Sequence, residues 1–369
     1  MRFPRAGIIF LVLIGIFGLF LVYRQNTEFP IPIGETIPYG GEDSSANDNP
    51  ANTAISDAHG TLVTGTLVTQ TKSFSLPMQN STREIFETNS VKHSIPLDEI
   101  LSGGPPKDGI PSIDNPQFIT TSEADNFLNS DSAGLGIVHE DEARFYPYQI
   151  LVWHEIVNDS IAGNPILVTY CPLCATGIAF DRRVGDETRE FGVSGKLWKS
   201  NLLMYDRTGN SDTESLWSQV LGEAVLGPKT GARLAVVPSD TVLYGKWKEK
   251  YPDTKVLSRK TGAIRTYGID PYGDYYSDRS VSFGATFTDT RLHPKAFVLG
   301  VEMGGKYKAY HKDALPEGKI EDIFAEQIIR IEKNATGEIT MTVNGNPLPY
   351  VGGFWFSWLA MHPDTELFK

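Results

Sequence analysis

Leu135-Gly-Ile-Val-His-Glu-Asp-Glu-Ala-Arg-Phe-Tyr146, followed by Leu151, has a counterpart in Leu299-Gly-Val-Glu-Met-Gly-Gly-Lys-Tyr-Lys-Ala-Tyr310, followed by Leu315. In both, apolar and polar residues alternate on either side of a turn, the pattern of a hairpin with one buried face, and a helix start follows. Two further pairs come in the same chain order. Ile178–Gly195 matches Ile328–Gly345, a second hairpin in each half. Trp247-x-x-x-Tyr-Pro-Asp-Thr254 matches Trp358-x-x-x-His-Pro-Asp-Thr365, a short helix stopped by proline and then a strand. Three pairs in one order argue for internal duplication. The expected fold is α+β and β-rich, a duplicated hairpin-plus-helix unit with the first repeat at about 134–258 and the second at about 298–369. The separation between partners shrinks along the chain, which places an insertion in the first copy at Lys196–Asp240. In this alignment Cys171-Pro-Leu-Cys174 stands opposite Glu321-Asp-Ile-Phe324, so the cysteines belong to what distinguishes the first copy.

Upstream of the repeats the composition changes twice. Ala6–Tyr23 carries no charge and is bracketed by Arg5 and Arg24. As a helix it would be about 27 Å long, nearly the thickness of a bilayer core. The expectation is one N-terminal transmembrane helix, with residues 1–24 as anchor and residues 6–23 in the membrane. A cleaved signal peptide is the competing reading, against which Phe20-Leu-Val-Tyr-Arg-Gln25 offers large residues where a cleavage site needs small ones. Arg2 and Arg5 outnumber Arg24, which keeps the N-terminus cytoplasmic and puts the body outside, in the periplasm or at the cell surface. Residues 25–88, rich in Ser, Thr, Asn and Gly and containing Gly60-Thr-Leu-Val-Thr64 and its repeat Gly65-Thr-Leu-Val-Thr69, form a tether, and residues 89–369 the globular domain. The net charge is −12, with three arginines spent on the N-terminus, so the body lacks the basic surface that nucleic acid requires. A protein partner or small-molecule substrate is left unspecified.

Cys171 and Cys174 are the two cysteines of the chain, which excludes a multi-disulfide scaffold and a four-cysteine zinc site. A c-type haem is excluded because Ala175, not histidine, follows them. The strand Ile166–Tyr170 runs into the pair, and Gly177 with renewed alternation follows it. That is strand, turn, strand, rather than the strand and helix of a thioredoxin-type motif. Such a knuckle aims two sulfurs at one point and suits copper or zinc once one or two further ligands join. His154, in Trp153-His-Glu-Ile-Val-Asn-Asp159, and His293, in Leu292-His-Pro294, are the candidate ligands. Thiolate and imidazole donors suit either metal, and a single cysteine pair outside the cytoplasm favours copper. His154-Glu155 departs from the spaced His-x-Glu of zinc deaminases, and Phe191-Gly-Val-Ser-Gly195 lacks the glycine spacing of a nucleophile elbow.

Residues from about Val91 onward resemble the prokaryotic family catalogued as domain of unknown function 3179. The resemblance is carried by Ser102-Gly-Gly-Pro-Pro-Lys-Asp-Gly-Ile-Pro111, Trp153–Asp159, Tyr170-Cys-Pro-Leu-Cys174, Phe191–Gly195, Leu202-Leu-Met-Tyr-Asp-Arg207, Ser215-Leu-Trp-Ser-Gln219 and His293-Pro-Lys295. It implies the domain limits and names no reaction. The family usually has glycine or asparagine after the second cysteine, where this chain has Ala175. The functional expectation is a membrane-anchored extracytoplasmic protein binding a thiolate-ligated metal through Cys171, Cys174, His154 and His293. Two alternatives stand beside it: a thiol–disulfide oxidoreductase in which Cys171 attacks and Cys174 resolves, and a binding module whose cysteines form a static disulfide.

Overall fold

The computed structural model describes residues 83–334 and 338–368. The expected span at residues 6–23, and the tether up to residue 82, lie outside the described residues. Among the described residues no helix is long and apolar enough to cross a membrane, so a transmembrane helix is no part of the described fold. The tether's last residues are already folded, because Phe86–Thr88 pairs antiparallel with Val91–His93.

The α+β expectation is corrected to a fold built of strands. The α-helices among the described residues are Thr121–Ala124, Tyr148–Leu151, Tyr244–Lys250 and Trp355–Met361, none longer than 7 residues. Pro252 and Pro363 stop the two longer ones. Elsewhere alternating β-branched and aromatic residues favour strands.

What recurs is a sheet crossed by a short helix. In the first half Ser239–Leu243 pairs antiparallel with Ala133–His139, which turns back into Glu142–Pro147, and Lys255–Leu257 adds parallel to that strand. In the second half Val351–Phe354, Phe297–Met303, Lys306–His311 and Glu366–Leu367 take the same order and directions. The helix between the two outer strands supplies the crossover that a parallel neighbour requires. It lies on the hairpin through one aromatic ring: Trp247 covers Gly136, and Trp358 covers Gly300. Each indole N–H donates to a threonine after the helix, Trp247 to Thr254 at 2.8 Å and Trp358 to Thr365 at 2.9 Å.

Each hairpin is followed by a three-stranded meander, Ile156–Ile161, Asn164–Cys171 and Thr176–Asp181 in the first half, and Gly318–Phe324, Gln327–Lys333 and Ile339–Val343 in the second. The first turn of each has two residues of positive φ, Ala162 and Gly163 against Ala325 and Glu326, the tight turn that matches strand twist. These turns correct the alignment of Ile178–Gly195 with Ile328–Gly345, which compares strands that are not equivalent. The counterpart of the cysteine turn is the connection after Lys333, not Glu321–Phe324, and it too lacks cysteine.

The insertion builds a different sheet. Among the described residues it has seven strands, in which Glu190–Trp198 and Asn201–Arg207 are flanked by Leu216–Ser218, Glu223–Leu226 and the N-terminal strands. One core runs from this sheet through Cys171 and Cys174 to Phe354, Phe356 and Met361 of the second half.

The ring-on-glycine contacts make a direct prediction. A Cβ at Gly136 or Gly300 would overlap the indole ring above it. Gly136→Ala and Gly300→Ala should each cost about 1–3 kcal/mol through overpacking, seen as a lower midpoint in denaturant at unchanged slope. Unchanged stability in both would show that the helices do not rest on the hairpins as described.

Candidate functional site

The strand Asn164–Cys171 ends on the first thiol, and Pro172–Cys174 forms a single 3-10 turn with proline at its start. Ala175 closes the turn at φ 49 and ψ 32, so alanine takes the left-handed conformation that glycine or asparagine adopts more easily. Thr176 then pairs back with Cys171. Both cysteines are free and buried, Cys171 at 1% and Cys174 at 0% exposure.

The two sulfurs meet at one backbone carbonyl. Ser200 O lies 3.7 Å from Cys171 Sγ and 3.3 Å from Cys174 Sγ. Lys199 and Ser200, both at positive φ, form the tight turn between Trp198 and Asn201, and this turn delivers the carbonyl to the site. Asn201 Nδ2 donates to Cys174 Sγ at 3.8 Å and to Gln219 Oε1 at 3.1 Å. Asn201 Oδ1 accepts from Ser218 Oγ and from the Val220 amide, both at 3.1 Å. Gln219 in turn donates to Thr169 Oγ1 at 2.9 Å and to the Thr176 carbonyl at 3.1 Å. The polar residues of the insertion thus tie its sheet to the cysteine hairpin, and burial strengthens each such bond.

The second half closes the site. Ser357, fully buried on helix Trp355–Met361, has a hydroxyl without a hydrogen-bond partner of good geometry among the described residues, and that hydroxyl acts on Cys174, lowering its pKa. Gly353 lies so close to Thr176 and the Cys174 carbonyl that a side chain there would collide with Thr176.

The thiols are unequal. Burial pushes Cys171 well above the ordinary thiol range, and its hydrogen bond to Cys174 raises it further. Burial acts on Cys174 in the same sense, but hydrogen bonds from Cys171, Ser357 and Asn201 outweigh it and bring Cys174 below that range. Cys174 is therefore the sulfur prepared to be an anion, with Cys171 holding the proton.

Beside Cys171 stands Glu155. Its backbone is at φ 59, its carbonyl accepts from the Tyr170 amide at 2.7 Å, and the residue is 6% exposed. Among the described residues nothing hydrogen-bonds its carboxyl, which interacts electrostatically with Cys171 and Tyr272. Burial, then the electrostatic interaction with Cys171, pushes the carboxyl well above the usual range. Burial thus disposes this carboxyl, which interacts with Cys171, toward its protonated form.

The expected metal-ligand set is not assembled. His154 is buried, its Nδ1 donates to Pro111 O at 2.7 Å, and its Nε2 accepts from Tyr267 Oη at 2.6 Å. Both ring nitrogens are engaged away from the sulfurs, and burial keeps the ring neutral by lowering its pKa. His293 is half-buried, its Nδ1 accepting from the Lys295 amide at 3.1 Å. Among the described residues no three His, Cys, Asp or Glu side chains are gathered so as to hold a metal ion. The cysteines are brought together; His154 and His293 do not join them. Glu155, Ser200, Asn201, Gln219 and Ser357 were missed as site residues, although Glu155, Asn201 and Gln219 lie in or beside segments that carry the family resemblance.

The family described as protein of unknown function (DUF3179) matches residues 107–346. The chain belongs to that family. The match takes in the cysteine turn, the insertion and Glu155, and ends before Ser357. No curated protein and no solved structure matches the chain.

Glu155 supports a pH prediction. Its native pKa is raised, so the folded state keeps a proton that the unfolded chain releases above about 4.5. The stability it contributes is full below that pH and falls as pH rises toward the native pKa, by about 1.4 kcal/mol per unit of displacement. Glu155→Gln, neutral at every pH, should be more stable than the parent at pH 8 and close to it near pH 4, measured by denaturant unfolding. A variant less stable than the parent at pH 8 would mean the carboxyl is ionised and paired.

Proposed function

We propose that the protein is a thiol–disulfide redox protein whose Cys171 and Cys174 cycle between dithiol and disulfide. One observation carries the reading: two free, buried thiols converge on the Ser200 carbonyl, and side-chain donors shift Cys174 toward the thiolate while burial outweighs the backbone donors at Cys171. The thiolate is the attacking form in exchange with a disulfide.

The roles are therefore Cys174 as nucleophile and Cys171 as resolving thiol, the reverse of the order expected from chain position. Cys174 S⁻ attacks one sulfur of a disulfide, forming a mixed disulfide and expelling the first thiolate. Cys171 then attacks the Cys174 sulfur, forming the intramolecular disulfide, and its proton goes to the second departing thiolate. Two protein sulfurs are oxidised and one disulfide is reduced, so atoms and electrons balance. On reduction, Glu155 offers a proton to the Cys171 sulfur as that sulfur leaves the disulfide, and the carboxyl is re-protonated from solvent.

The test is equilibration of the full chain in dithiol–disulfide buffers of graded potential, followed by acid quench, thiol counting after denaturation, and metal analysis. A single two-electron step is expected within the range of redox-active pairs, roughly −270 to −120 mV, and should disappear in Cys171→Ser and Cys174→Ser. Thiols that stay reduced across that range, or stoichiometric copper or zinc held by a reduced protein without such a step, would overturn the redox reading and return the sulfurs to metal binding.

A further inference from the structure

The sulfurs are roofed by the segment joining the two halves. Residues 259–296 contain no strand and one 3-10 turn, Gly273–Tyr276, a length of irregular chain that ordinary connections do not need. Tyr275, Phe283 and Ala285 from this strap are buried in the same core as Cys171 and Cys174.

The strap is fastened on both sides of the turn. Upstream, Tyr267 Oη bonds His154 Nε2 at 2.6 Å, and Trp153 Nε1 donates to the Ile269 carbonyl at 3.1 Å. Downstream, the Phe283 carbonyl accepts from the Ser200 amide at 2.9 Å, and the Ser282 carbonyl accepts from the Ser200 hydroxyl. Lys295, itself buried, donates to the Tyr275 carbonyl and places Nζ 3.7 Å from the centre of that ring. Between the fastenings the chain is mostly exposed; Tyr272 and Tyr276 pack against the core around the cysteines, and Tyr275 Oη donates to the carbonyl of Leu173, which lies between the two cysteines, at 2.9 Å.

Clearing the whole strap would break every one of these contacts and uncover part of the core. Swinging Tyr275 aside breaks its bond to Leu173 and its stacking under Lys295. The first opening admits a disulfide carried by a folded protein; the second admits a small molecule only. Resting on the redox reading above, we infer that the dithiol exchanges with low-molecular-weight disulfides, with Tyr275 as the positioning residue that gates their access.

The experiment uses the reduced full chain, with bis(2-hydroxyethyl) disulfide as the small probe and insulin as the folded-protein disulfide, the second-order rate of each being followed by loss of protein thiols. The parent should react with the small disulfide and leave insulin essentially untouched. Tyr275→Phe, which keeps the ring and removes the bond to Leu173, should speed the small-disulfide reaction roughly fivefold, the worth of one ordinary hydrogen bond. Tyr275→Ala should speed it about 10-fold or more, and a solvent-accessible thiol readout in the unchanged fold distinguishes this from unfolding. Insulin reduced as fast as the small disulfide, or small-disulfide rates unmoved in both variants, would overturn the inference. If the equilibrium titration shows a couple but these rates do not respond, the gate fails alone; if no couple exists, the redox reading fails first.

Discussion

The hydrogen bonds that reach the Cys174 sulfur decide what this site is. In a volume closed to water a thiolate is costly, and two adjacent thiolates more so. Cys171, Asn201 and Ser357 supply the donors that shift Cys174 toward the anion while Cys171 keeps its proton. The neighbouring carboxyl belongs to the same arrangement. Burial and the interaction with Cys171 push Glu155 toward its neutral form, which limits negative charge beside the Cys174 thiolate.

Those donors come from three separate parts of the chain, which is why the architecture matters to the chemistry. Cys171 ends a meander strand of the first half, Asn201 follows the tight turn of the inserted sheet, and Ser357 sits on the crossing helix of the second half. The two halves share a sheet topology and a tryptophan resting on a glycine. They diverge in the connection between the second and third meander strands. In the first half that connection is Pro172–Ala175 with its flanking thiol, backed by the insertion; in the second it follows Lys333 and carries no sulfur. The strap between the halves, an irregular segment on any topological view, is the element that finishes the enclosure.

Much of this was legible in the sequence, and the rest failed for identifiable reasons. The alternation in Leu135–Tyr146 and Leu299–Tyr310 reports hairpins because a half-buried strand must alternate. The same period of two carries no information on register, so Ile178–Gly195 could be laid on the wrong partner; the two-residue turns at Ala162 and Ala325 hold that information. Helices drew too much weight because the segments at Trp247 and Trp358 are visible as motifs, whereas they are single short crossings in a fold of strands. Cys171 and Cys174 stood out by residue type. His154 looked like their ligand because sequence shows proximity along the chain; its partners, Pro111 and Tyr267, are 43 and 113 positions away. The adjacent Glu155 was passed over, since nothing in a sequence reveals that a carboxyl will be buried without a donor.

The two neighbouring thiols are unequal, and the ultraviolet absorbance of thiolate in the native, reduced full chain reads that inequality. One thiolate should appear below the ordinary thiol range near pH 8.5 and be absent in Cys174→Ser, while the second thiol stays protonated far into alkali. Two thiols ionising together at the ordinary value, or an early thiolate that survives Cys174→Ser and vanishes in Cys171→Ser, would contradict it.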